Sequence, residues 1–231
     1  MPILRNWDLA LDADKVLWGQ GANPAVIRAR RPVLATVAGE VIPDGMPLIA
    51  PALIYRRIPV VEFRHERLVL AGGGSLLGPA IASHLATASE VIIAVCTVGG
   101  ALSARAAEVF EQNPVRGLAL DGLASAAAEA LAEAACRHFD DIASGEGLAA
   151  SIPLNPGMVG WPLLDAQQQV FSLLPADEIG VTLNSSGLME PLKSLSLVVG
   201  LGRSEAAGSA GRACDFCTMR ETCRYKERYA P

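Results

Sequence analysis

The stretch 115–139 reads as one long helix, and its pattern constrains the whole chain. Leu120, Leu123, Ala124, Ala127, Leu131, Ala134 and Ala135 recur at spacings of three and four, which places them on one apolar stripe. A stripe of that length must be covered. Its alanines admit a close neighbour, because a methyl group holds two backbones only slightly apart. The rest of the interior follows the same rule: 51% of the chain is hydrophobic but only 5% is aromatic, so Ala, Leu, Val and Ile must build the core. At 231 residues that core can be substantial.

Around this helix the expected elements alternate. Residues 23–50 carry helical and turn signals interrupted by Pro32, Pro43 and Pro47, and read as helical. Residues 52–63 are β-rich, and 67–70 answer them across a turn at 64–66, which predicts a hairpin. Gly72, Gly73 and Gly74 follow, then Ser75 as the cap of a helix reaching Leu85. The triple glycine lacks the Lys-Ser/Thr ending of a phosphate loop and follows a hairpin, so it reads as a turn. Residues 90–98 form an apolar, β-branched run, the pattern of a strand buried on both faces. Gly99 and Gly100 end it, and a helix is expected over 101–111. A Gly- and Pro-rich loop begins near Gly145, an amphipathic helix spans 162–174, and 180–183 and 193–200 read as strands. Residues 202–211, rich in Gly, Ser and Ala, read as a linker. Two parts are therefore expected: 1–201, a single α+β domain, and 202–231, a linker with a cysteine-rich tail.

That tail carries the sharpest chemistry. Cys214, Cys217 and Cys223 lie within ten residues. A Cys-x2-Cys turn brings two thiolates to one side, and a third can close the same knuckle around iron–sulfur or zinc. Three unrelated thiols, or a disulfide between Cys214 and Cys217, are the plainer alternatives. Three ligands leave one position, to be completed by Cys96, Cys136, a histidine or an exogenous group. For Cys96 and Cys136 a core thiol is the default role. Arg212, Arg220, Arg224, Lys226 and Arg228 surround the knuckle and would favour thiolates or an anionic cluster; a solvated end is the alternative.

Bulk charge narrows the partners. The net charge of −5 and pI near 5.3 argue against a nucleic-acid partner, whose footprint would be basic. No stretch reaches the roughly 18 uncharged apolar residues of a membrane helix. The start shows no basic segment followed by an apolar run, and the odd cysteine count fits a reducing compartment, so a cytoplasmic protein is expected. His65, His84 and His138 have no spaced partner that implies catalysis, and nothing reads as a hydrolase triad.

Three separated stretches resemble one family. The strand and turn Ala94-Val95-Cys96-Thr97-Val98-Gly99-Gly100-Ala101-Leu102 precedes an alanine-rich helix. The loop Asn155-Pro156-Gly157-Met158-Val159-Gly160-Trp161-Pro162 precedes an amphipathic one. The segment 180–196 contains Thr182-Leu183-Asn184-Ser185-Ser186, Met189-Glu190-Pro191 and Ser194-Leu195-Ser196. In this order they are similar to the reactivation (activation) domain of cobalamin-dependent methionine synthase and its stand-alone anaerobic relatives. The resemblance implies an α+β domain with a twisted, largely antiparallel sheet. It also implies a shallow groove for S-adenosylmethionine and a corrinoid protein or corrinoid methyltransferase as partner. Carried onto this chain, the groove residues are Thr97, Gly99, Asn155, Pro156, Gly157, Met158 and Ser185.

The chain departs from the family where charge matters. Pro153 stands where the family has an Arg, Met158 where it has the loop Tyr, and Ser185 where it has a Glu. A ligand bearing a carboxylate and an ammonium needs a counter-charge for each, since burying either unpaired costs several kcal/mol. The expected function is an accessory protein of corrinoid-dependent methyl transfer, assisting reductive reactivation through an iron–sulfur site. The alternatives are a binding module with structural zinc, or an S-adenosylmethionine domain with altered anchors. If the tail folds back on the groove, Cys96 is the expected fourth ligand, because Cys136 is expected to pack on the far side.

Overall fold

The computed structural model describes residues 1–203 together with Glu221 and Thr222. The chain opens with β1 (Ile3–Leu4), then α1 (Ala13–Gly19), α2 (Pro24–Arg30), α3 (Pro32–Glu40), α4 (Ile42–Gly45) and a 3-10 turn at Met46–Leu48. Local chemistry sets these starts. Asp12 caps α1 through the Lys15 N–H, and Asn23 caps α2 through the N–H groups of Ala25 and Val26. A proline stands in the first turn of α2, α3 and α4, where its missing N–H has no intrahelical role.

The hairpin follows as β2 (Ala52–Arg64) and β3 (Arg67–Leu70), joined by His65 and Glu66 at φ 48° and 61°, a left-handed two-residue turn that matches strand twist. The next element corrects the sequence reading. Residues expected to open a helix at Ser75 instead form β4 (Gly74–Leu77), which pairs antiparallel with β3 and sets Leu76 opposite Leu68. Both leucines are fully buried, so pairing and burial override the cap signal at Ser75. The helix α5 (Pro79–Leu85) begins only after Gly78, whose φ of 152° no helix can include. The glycines before β4 do form the expected turn.

The remaining elements are β5 (Glu90–Thr97), α6 (Ala101–Gln112), α7 (Pro114–Gly145), β6 (Ala149–Ala150) and α8 (Leu163–Leu173). After a 3-10 turn at Ala176–Ile179 come β7 (Thr182–Leu183), β8 (Met189–Glu190) and β9 (Ser194–Gly202). The main sheet runs β4-β3-β2-β5-β9-β6 with β1 beside β2, and every pairing is antiparallel. This is the α+β class. The strand expected at 180–183 is not in that sheet; β7 pairs with β8 in a small separate hairpin. The last strand runs through Gly202, one residue past the expected boundary at 201.

The sheet has two covered faces. Ile54, Val91, Ile93, Val95 and Val198 face α5, α8 and the loop carrying Trp161. Leu53, Ile92, Ala94, Cys96, Leu197 and Val199 face the C-terminal half of α7, through Ala127, Leu131, Ala135 and Phe139. The 32 residues of α7 span about 48 Å at 1.5 Å per residue, longer than one sheet needs. Its N-terminal half therefore packs elsewhere, with Val16, Leu17, Ala38, Val41 and Leu102 of the helical cluster. Arg57 locks the other end, donating to both carboxylate oxygens of Glu146 at 2.6 Å and to Glu90.

Candidate functional site

β5 ends and β9 begins at the same edge of the molecule, where Thr97 pairs with Ser194. Both hydroxyls are buried. Ser194 Oγ lies 2.8 Å from Thr97 Oγ1 and donates to the Pro191 carbonyl at 2.7 Å, while Thr97 Oγ1 accepts the Gly99 N–H at 3.1 Å. These bonds tie the turn after β5 to the segment between β8 and β9. Gly99, at φ 80°, lies close to Ala50, and Gly100 faces Pro191.

The loop before α8 is pinned to the same edge. Leu154 bridges Val198, and Asn155 Nδ2 donates to the Ser196 carbonyl at 3.0 Å. Within the loop the N–H of Gly157 reaches the Trp161 carbonyl, and the N–H of Asn155 points at Met158 Sδ at 3.1 Å. The Gly160 carbonyl accepts the Ala80 N–H, and a Cβ on Gly160 would lie 3.0 Å from that nitrogen, so the loop touches α5 backbone to backbone. The β7–β8 turn closes the third side. Asn184 Oδ1 accepts the N–H groups of Ser186 and Leu188, and Gly187 leans on Leu164 of α8.

Between the Asn155 loop, α8 and the β7–β8 turn lies a cleft of about 180 Å³. Asn155 and Pro156 form one side, Leu163 and Gln167 of α8 another, and Gly187 to Met189 a third; Leu192, Leu195 and Ser196 of the β9 approach complete it. Its polar floor is one chain of bonds: Asn155 to the Ser196 carbonyl, and Ser196 Oγ to Gln167 Oε1 at 2.9 Å. None of the lining side chains is charged. Lys193, next to the cleft in sequence, turns to α7 and donates to Asp121 and to Ser125 Oγ at 2.8 Å.

Of the residues expected at the groove, Asn155 and Pro156 line this cleft. Gly157 and Met158 shape the loop behind it. Thr97 and Gly99 sit one strand away, joined to it through Ser194 and Pro191. Ser185 is exposed in the β7–β8 turn, outside the cleft wall. Gln167 and Ser196 escaped the sequence reading. The signal was present in part: Gln167 falls on the buried face of α8 with Ala166, Val170 and Leu173, where a lone polar residue is anomalous.

The cysteines separate differently. Cys214, Cys217 and Cys223 lie outside the described residues, and among the described residues no group of three His, Cys, Asp or Glu side chains is placed to hold a metal. Cys96 was expected beside the groove with Cys136 on the far side. Instead the strand alternation turns Cys96 away from the cleft, into the helix-side core, with Cys136 of α7 packed against that same cluster. Burial, with Cys136 nearby, pushes the Cys96 thiol from 9.0 up to about 12, and burial beside Asp140 pushes Cys136 up to about 11. A thiol so held resists becoming a thiolate ligand. Alkylation at pH 8 should therefore spare Cys96 in the native protein and label it on unfolding, as peptide mass mapping would read. The unfolded chain loses the Cys96 proton near pH 9 and the folded chain only near 12. Its contribution is thus complete below pH 9 and is lost as pH rises between the two values.

No protein-family model matches the chain, and no curated protein sequence does. Among solved structures, the crystal structure of the MetH reactivation domain bound to AdoHcy superposes with a TM-score of 0.64 over 98% of this chain and 86% of the other, at 13% identity. The two share a fold.

Proposed function

We propose that this protein is an accessory component of corrinoid-dependent methyl transfer, docking on a corrinoid protein to assist its reductive reactivation. The observation that carries this reading is the near full-length likeness of its fold to a reactivation domain, together with a cleft lined by two of the three resembling stretches, the loop at Asn155 and the segment before β9. Cys214, Cys217 and Cys223 would hold an iron–sulfur cluster, since three thiolates at this spacing form a soft donor set. Such a cluster supplies electrons at the low potentials that oxidised cobalt requires. Zinc in the same knuckle would make it a structural staple instead.

S-adenosylmethionine fits the described cleft poorly. The neighbour was crystallised with AdoHcy, which has a carboxylate and an ammonium to be matched, and no charged side chain lines the cleft here. We therefore assign this chain no methyl-donor step.

Protein purified without oxygen should be brown and contain iron and acid-labile sulfide, and Cys217→Ala should bleach it without changing the far-ultraviolet circular dichroism. Added to a corrinoid protein held in the Co(II) state, the protein should shift that partner's visible and electron paramagnetic resonance spectra. A colourless protein with stoichiometric zinc would remove the redox role. Unshifted cobalt spectra would remove the corrinoid reading, and calorimetric binding of S-adenosylmethionine would favour the domain with altered anchors.

A further inference from the structure

The cleft floor holds a polar group that the fold does not use. Gln167 is 3% exposed, and its Oε1 accepts from Ser196 Oγ. Its Nε2 has no hydrogen-bond partner among the described residues, and Gln167 lines the cleft. Asn155 is complementary. Its Nδ2 is spent on the Ser196 carbonyl, which leaves Oδ1 as an acceptor without a partner among the described residues. A donor and an acceptor thus border one uncharged cleft.

We infer that this cleft receives a primary carboxamide, and specifically one amide arm of a corrinoid ring. The amide oxygen would accept from Gln167 Nε2 and its NH2 would donate to Asn155 Oδ1, so both partners are satisfied without any charge being buried. A carboxylate in the same place would meet the Asn155 oxygen and find no cation. Size favours an arm over a whole ligand, because about 180 Å³ lies below the roughly 300–1,000 Å³ of sites that enclose small molecules. The surroundings fit the remainder of the ring. Leu163, Leu188 and Leu192 are 38%, 44% and 72% exposed at the cleft, an apolar shelf for a methyl-studded macrocycle edge. The identity of the amide's owner rests on the corrinoid reading above; the preference for an amide rests on the cleft alone.

The test compares dicyanocobinamide, whose ring bears amides, with dicyanocobyrinic acid, whose ring bears carboxylates. Titration followed by tryptophan fluorescence should show the amide ring binding about tenfold or more tightly than the acid, because a missing partner leaves buried polar groups unpaired. Asn155→Ala and Gln167→Leu should each lose about tenfold while the circular dichroism spectrum is kept; Asn155 is only half-buried, so its variant remains informative if Gln167→Leu unfolds. Equal binding of the two rings, or binding that Asn155→Ala leaves unchanged, overturns the inference, as does competition by S-adenosylmethionine. If neither ring binds but the protein still shifts the spectra of a Co(II) corrinoid protein, the amide site falls and the accessory role stands. If neither effect is seen, both fall.

Discussion

Trp161→Ala is expected to destabilise the protein by about 3–5 kcal/mol, the range for deleting a large buried aromatic. Trp161 is 0% exposed and heads the fully buried side chains by volume. It fills the core between the sheet and α5, and its indole N–H reaches Gln169 Oε1 at 3.4 Å. Collapse around the void is restricted, because its own backbone closes the loop beside the cleft through the bonds to Gly157 and Met158. Urea unfolding should show the lowered midpoint, and Trp161→Phe should recover most of the loss. A change below about 1 kcal/mol for the alanine variant would mean that the loop is not packed as described.

The second large effect lies in the helical cluster. A Cβ on Gly19 would stand 2.1 Å from the Gly122 carbonyl oxygen and 3.1 Å from the Ala126 nitrogen, and a Cβ on Gly122 would stand 2.7 Å from the Val16 carbonyl oxygen. Here α1 crosses α7 backbone on backbone, so no side chain can give way. Gly19→Ala should lower stability by about 3 kcal/mol or more, read from the urea midpoint. Gly39→Ala is the control. It lies within α3, and its new methyl would meet only Ala13 Cβ at 3.8 Å, so it should be neutral or stabilise by about 0.5–1 kcal/mol. Equal behaviour of the two variants would show that the crossing is not close.

The alanines of α7 illustrate how much was legible. Their spacing identified the helix and its covered stripe, and six of the seven stripe residues are buried, with Ala134 half-buried. Which neighbours use that stripe was not legible, for it serves the sheet along one half and the helical cluster along the other. At Ser75 the local signal misled. A cap and apolar residues at helical spacing are also compatible with a strand, and only pairing with β3 decides between them.

The candidate site divides in the same way. Asn155 and Pro156 were reached from the sequence through the family resemblance of their loop, whose Gly and Pro residues by themselves say only that the backbone is irregular. Gln167 and Ser196 did not, since each is an ordinary polar residue until α8 is laid against β9. Cys96 shows the limit most clearly. Alternation along β5 puts Ile92, Ala94 and Cys96 on one face whatever the fold, but period two is blind to which face meets α7 and which meets α5 and α8. The sequence by itself therefore determined the long, strongly periodic elements and the sets of residues that share a face within them, because both follow from backbone periodicity. Only the tertiary structure decided what each face touches, since contacts between elements far apart in the chain depend on their packing geometry, which local periodicity does not encode.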